Sequence, residues 1–132
     1  MPYLLDTSLC IDVFRGVTSV TRHLSCVAPD ECTVSAITVF ELLSGVRLCR
    51  DPERELRKVN SFLAMVHQAS FEAAAADAAA RVRADLQRQG VPLGPYDTLL
   101  AGHALARGAT LVTSNVTEFG RVPGLHWENW RE

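Results

Sequence analysis

Strand-length runs set apart by helix-length segments constrain this chain more than any other feature. Tyr3-Leu4-Leu5 is too short for a buried helix and ends in Asp6-Thr7-Ser8, a group of good N-cap residues. It therefore reads as a buried strand feeding a helix to about Arg15, which Gly16 ends. A second helix is expected over 19–27, closed by Pro29-Asp30, before a strand at Cys32-Thr33-Val34-Ser35. Thr38 begins a helix to about Cys49, and Asp51-Pro52-Glu53 opens another to about Met65. A brief strand over 66–69 precedes an Ala-rich helix over 71–89, stopped by Gly90. The Gly94-Pro95-Tyr96-Asp97 turn starts a helix through Ala106, Gly108 ends it, and strands at Thr110-Leu111-Val112-Thr113 and over 126–128 complete the chain. Strands separated by helices imply crossover connections. The expected class is α/β, a three-layer domain with a central, mostly parallel sheet flanked by helices.

At 132 residues the chain reads as a single domain, 1–132, able to bury about two-thirds of the surface of its unfolded form without disulfide or structural-metal staples. Its net charge of -2 leaves no polybasic or polyanionic tail, so charge does not announce nucleic-acid binding. Arg outnumbers Lys twelve to one, which suits bidentate phosphate contacts, but a GC-rich genome produces the same bias. Cys10, Cys26, Cys32 and Cys49 form no C-x-x-C pair, and His23, His67, His103 and His126 form no H-x-x-x-H pair, which argues against zinc. Cys10, Cys26 and Cys49 sit among apolar residues of expected helices and read as small buried hydrophobes. No run approaches the ~20 apolar residues of a membrane span, and no basic leader is visible, so a cytoplasmic location is expected.

Four polar residues stand out against this background. Asp6 and Asn115 lie just past the ends of expected strands, where open α/β sheets build ligand sites. Glu41 and Asp97 lie in the first turns of helices, on faces shared with Ile37 and Phe40 and with Leu100, Ala101 and Ala104, so both are expected to point inward. Each has an ordinary alternative: Asp6 suits a helix cap, Asp97 suits a helix dipole, and Ser114-Asn115 suits a turn. Three inward carboxylates without local cationic partners, however, point jointly to a bound cation.

Asp6-Thr7-Ser8, Phe40-Glu41-Leu42 with Gly45, the run Gly94-Pro95-Tyr96-Asp97-Thr98-Leu99-Leu100-Ala101-Gly102-His103-Ala104, and Leu111 through Phe119 followed by Val122-Pro123-Gly124-Leu125 and Glu128-Asn129-Trp130 resemble the PIN-domain ribonucleases, specifically the VapC-type toxins of bacterial toxin–antitoxin pairs. The resemblance runs from residue 3 to residue 130. It implies a metal-dependent endoribonuclease toxin. Asp6, Glu41 and Asp97 match the family's acidic motif residues and would hold Mg²⁺ or Mn²⁺, and Asn115 matches the fourth catalytic position. Glu118 would add a ligand through water, while Ser8 and Ser114 replace the Asn that related toxins often carry. The resemblance also implies an RNA substrate with tRNA favoured, a cognate VapB-type antitoxin, a homodimer and a toxin–antitoxin hetero-oligomer.

Carboxylate oxygens suit hard Mg²⁺ or Mn²⁺ on chemical grounds alone. Thr7 and Thr113 are placed to hydrogen-bond ligands or phosphate, or to serve as cap and strand-end hydroxyls. Arg83 either reaches toward the site or forms an outer-face salt bridge, and Arg47, Arg50, Arg54 and Arg57 either contact phosphate or pair with Glu53 and Glu55. The competing function is a non-catalytic PIN domain acting as an RNA- or protein-binding module, which loss of a carboxylate would have favoured. A phosphatase of another α/β type would need Asp-x-Asp after the first strand, which Asp6-Thr7-Ser8 lacks.

Overall fold

The structure is a computed structural model that describes residues 2–132. Five strands, β1 (Tyr3–Leu5), β2 (Cys32–Ser35), β3 (His67–Ala69), β4 (Thr110–Val112) and β5 (Trp127–Glu128), form one sheet in the order β3-β2-β1-β4-β5. Every neighbouring pair is parallel. The chain builds outward from β1 through β2 to β3, then returns to place β4 on the other side of β1. Strand order therefore reverses between β1 and β4, and at such a point the two following connections diverge and leave a crevice.

Among the described residues seven α-helices make the crossovers, with a 3-10 turn at Pro29–Glu31: α1 (Thr7–Arg15), α2 (Thr18–Ser25), α3 (Ala36–Leu48), α4 (Pro52–Leu63), α5 (Ala73–Arg88), α6 (Pro95–Arg107) and the short α7 (Val116–Phe119). Alternation along the strands divides the core into two layers. Leu5, Val34 and Val112 face a cluster with Leu9, Val20, Leu42, Phe62 and Trp130, while Leu4 and Leu111 face one with Val82, Leu86, Ala101, Ala104 and Phe119. The register sets Leu5 beside both Val34 and Val112, so a slip of one residue would exchange the two layers. Gly16 (φ 71) and Gly108 (φ 61) end α1 and α6 in the left-handed conformation that the sequence reading assigns them as stops.

Three expectations are corrected. Helix α3 starts at Ala36, directly off β2, because the Ser35 hydroxyl accepts the Ile37 N–H at 3.0 Å; Glu41 consequently lies in the second turn rather than the first. Cys10 and Cys32 are buried, but Cys26 is exposed because α2 stops at Ser25, and Cys49 is only partly covered. The four-residue α7 has no counterpart in the sequence reading, since one turn leaves no measurable periodicity.

Helices α5 and α6 pack through small residues. A Cβ at Gly102 would overlap the Ala79 backbone, so the two helix axes approach as closely as they do only with glycine there. Gly45, in α3, faces open space. Gly102→Ala should therefore destabilise the protein by about 1–3 kcal/mol or more in denaturant melts through overpacking, while Gly45→Ala should be neutral or stabilising by up to about 1 kcal/mol from helix propensity. Equal effects of the two substitutions would refute the close packing of α5 on α6.

Candidate active site

The crevice at the strand-order reversal collects acidic side chains from four segments. Asp6 follows β1, its N–H donating to the Val112 carbonyl of β4 at 3.1 Å, and its carboxylate caps α1 by accepting the Leu9 N–H at 2.8 Å. Ser8 donates to both Asp6 oxygens, at 2.9 and 3.0 Å, and the Thr113 hydroxyl at the end of β4 is a further partner. Asp6 is thus a helix cap and a member of the cluster at once.

Glu41 is half-buried on α3, and its Oε1 accepts the Thr7 hydroxyl at 2.7 Å. Its neighbour Phe40 is 51% exposed, so the face expected to point into the core is instead the rim of the crevice. Asp97, the third residue of α6, is also half-buried. It accepts no hydrogen bond and joins no ion pair among the described residues. Glu118, on α7, is held through Oε2 by the Asn115 amide at 3.0 Å, and the Asn115 N–H is in turn held by Thr113 at 2.9 Å.

Electrostatics shows that these groups share one space. Burial pushes Asp97 above the ordinary carboxylate range, and the charges of Glu118 and Glu41 push it further in the same direction. Burial raises Asp6 from 3.8 to about 6, despite hydrogen bonds from Thr113, Leu9 and Ser8 that favour its charged form, and Asp97 adds to the rise. None of the ion pairs, Lys58–Glu55, Arg81–Asp77, Arg88–Asp85 and Arg131–Asp12, involves these four acids. The carboxylates converge on the crevice without closing into a cage: among the described residues no three His, Cys, Asp or Glu side chains already surround an ion-sized point.

Of the residues singled out by sequence, Asp6, Glu41 and Asp97 come together with Glu118, whereas Asn115 stands behind them as the group that orients Glu118. Thr7 and Thr113 hold carboxylates. Arg83 makes no outer-face salt bridge among the described residues; it lines a groove of about 740 Å³ between α5 and α6 that also includes Gln87, Pro95 and Thr98. Arg54 and Arg57 line a second groove of about 670 Å³ floored by Val13, Phe14, Leu24 and Phe62.

Sequence reasoning missed His103. Its Nδ1 lies 2.8 Å from the Ser35 hydroxyl, the Ser70 backbone is a further hydrogen-bond partner of the ring, and the ring meets Phe71 edge-on at 5.2 Å. Burial and the charge of Arg107 lower its pKa from 6.5, which favours the neutral ring. The same Ser35 oxygen caps α3, so His103 ties the helix carrying Asp97 to the start of the helix carrying Glu41. A polar residue one turn after Leu99 and Leu100, on the face they share, was the available signal.

The sequence pattern that describes the PIN domain matches residues 3–125. The chain belongs to the PIN-domain family. Relatives of this PIN domain include the tRNA(fMet)-specific endonuclease VapC of Shigella flexneri, 36% identical with 98% of each chain covered, and the ribonuclease VapC of Haemophilus influenzae strain 86-028NP, 34% identical with the same coverage. Among solved structures, DNA-bound VapBC from Salmonella typhimurium superposes with a TM-score of 0.93 at 34% identity over 98% of each chain. The α/β architecture is that of the VapC group.

The raised Asp6 pKa makes a signed prediction for this PIN domain in chelator. An acid whose folded pKa is raised loses stability as pH rises from its unfolded value, here 3.8, through its folded value, here about 6. At pH 7 the cost is on the order of 3 kcal/mol before relaxation and water entry reduce it. Asp6→Asn keeps a capping oxygen and removes the charge, so it should melt above wild type at neutral pH, with the gap closing toward pH 4. Thermal melts across pH test this; a variant that melts lower at pH 7 would mean that the hydrogen bonds to the carboxylate outweigh its desolvation.

Proposed function

We propose that the protein is a Mg²⁺- or Mn²⁺-dependent endoribonuclease toxin that hydrolyses phosphodiester bonds in RNA, with tRNA as the favoured substrate class, and that a cognate VapB-type antitoxin restrains it in the cytoplasm. The observation that carries the metal dependence is Asp97, a half-buried carboxylate without a protein partner among the described residues, surrounded by the like charges of Asp6, Glu41 and Glu118. An all-oxygen donor set of this sign fits a hard divalent cation. The open arrangement suits a cation that keeps several waters and takes only one or two protein oxygens, as Mg²⁺ does. Bound there, the cation would acidify water and offset the negative charge that builds on a phosphodiester under attack.

The chain's own residues prepare the site. Thr7 fixes Glu41 through Oε1 and leaves Oε2 without a hydrogen bond among the described residues, and Asn115 does the same for Glu118, leaving its Oε1. Ser8, Thr113 and the Leu9 N–H orient Asp6 on rigid elements, the end of β1 and the first turn of α1. Groups positioned in advance need little rearrangement when substrate arrives. That all the acidic positions are filled argues against the non-catalytic alternative. For the antitoxin we favour the groove between α1, α2 and α4, whose apolar floor and rim of Arg54, Arg57 and Lys58 suit an amphipathic segment bearing acidic residues. Assembly as a homodimer and as a toxin–antitoxin hetero-oligomer belongs to the same reading.

Cleavage of purified tRNA, followed by the appearance of new RNA ends, should stop in EDTA and return with Mg²⁺ or Mn²⁺. Asp97→Asn should fold and lose at least about a hundredfold in rate, the scale of removing one group that stabilises developing charge. Undiminished cleavage in EDTA, or an active Asp97→Asn, would overturn the mechanism.

A further inference from the structure

Two exposed aromatics stand directly beside the acids. Phe40 immediately precedes Glu41 on α3, Tyr96 immediately precedes Asp97 on α6, and the two rings touch across the helices with centroids 5.6 Å apart and planes inclined by 56°. They are 51% and 44% exposed. The two helices thus present an aromatic rung next to an acidic rung. Scattered exposed hydrophobics need no explanation, but a contacting pair at the mouth of a charged crevice does.

We propose that Phe40 and Tyr96 form a stacking platform for an unpaired RNA base adjoining the scissile phosphodiester. The proposal rests on the ribonuclease reading above. A chain of net charge -2 whose site is itself acidic has no polybasic tail to draw RNA in, so contacts that carry no charge gain weight in its affinity. Stacking is such a contact, and it tolerates any base because every base has a π face. The groove beside the platform extends the path: Pro95 and Thr98 of the same helix line it, together with Gln87 and Arg83, which has no ion-pair partner among the described residues and is a donor for phosphate. A second copy of the chain is a poorer occupant, since an isologous contact here would set two acidic clusters against each other.

The test uses a short single-stranded RNA carrying 2-aminopurine, whose fluorescence falls on stacking, titrated into an Asp6→Asn parent that binds without cutting. The parent should quench the probe. Adding Phe40→Ala or Tyr96→Ala should abolish quenching and weaken binding roughly 5- to 100-fold, and Tyr96→Phe should restore both. Circular dichroism and light scattering of each protein check folding and mass. Absence of quenching in the parent, or ring-deleted variants that bind and quench like it, would overturn the platform. So would a changed oligomeric mass with unchanged RNA binding, which would assign the rings to a second copy. Quenching by the parent together with failure of wild type to cleave RNA in Mg²⁺ or Mn²⁺ would support the platform while removing the ribonuclease reading.

Discussion

Like charges gathered in a partly dry crevice, none of them in an ion pair among the described residues, govern this structure. Two carboxylates about 4 Å apart in an effective dielectric near 20 would repel by roughly 4 kcal/mol before proton uptake and water entry relieve it, and repulsion of that sign is what raises the Asp97 pKa beyond the effect of burial. A fold of this size has a net stability of only about 5–15 kcal/mol, so such a cluster persists only where rigid elements over-determine it. The parallel sheet supplies them. Because strand order reverses between β1 and β4, Asp6 and the Thr113–Asn115 segment leave the sheet side by side, while α3 and α6 bring Glu41 and Asp97 from flanking layers.

The polar groups around the acids are nearly all neutral donors. Thr7, Ser8, Thr113, Asn115 and the Leu9 N–H fix carboxylate orientation without supplying positive charge, which leaves the cluster's charge for a ligand. Behind them, the His103–Ser35 bond couples α6 to α3, and the Gly102–Ala79 approach seats α6 on α5. At the far side, the chain end is locked by Trp130 stacked on His23 and by Arg131 forked onto buried Asp12, with both nitrogens at 2.7 Å. That bidentate pair shows what the chain does with a buried carboxylate meant only for structure: it provides an arginine. Asp97 has none.

Much of this was legible in the sequence because the signals were local. Tyr3-Leu4-Leu5 before Asp6-Thr7-Ser8 encodes a strand, a cap and a helix within six residues, and Gly108 before Thr110-Leu111-Val112 encodes a helix stop and a strand. The acids were visible as polar residues where local pattern called for apolar ones. What was hidden depends on distant partners. Nothing near Asn115 says that its amide will hold Glu118 on a one-turn helix, and nothing near His103 says that Ser35, 68 residues away, will share its hydroxyl between a ring nitrogen and a helix cap. The exposure of Phe40 was misjudged for the same reason, because an apolar residue beside Glu41 looks like core until the third dimension shows a rim.

The central claim is that the cluster is unstable as bare charge because it is built to bind a cation. Isothermal titration calorimetry of Mn²⁺ into chelator-treated protein tests it without reference to substrate. Wild type should give saturable binding, with Asp97→Asn weakening it at least about tenfold, the loss expected from removing one charged oxygen ligand. Identical titrations for the two folded proteins, or no saturable binding to wild type at millimolar Mn²⁺, would contradict the account.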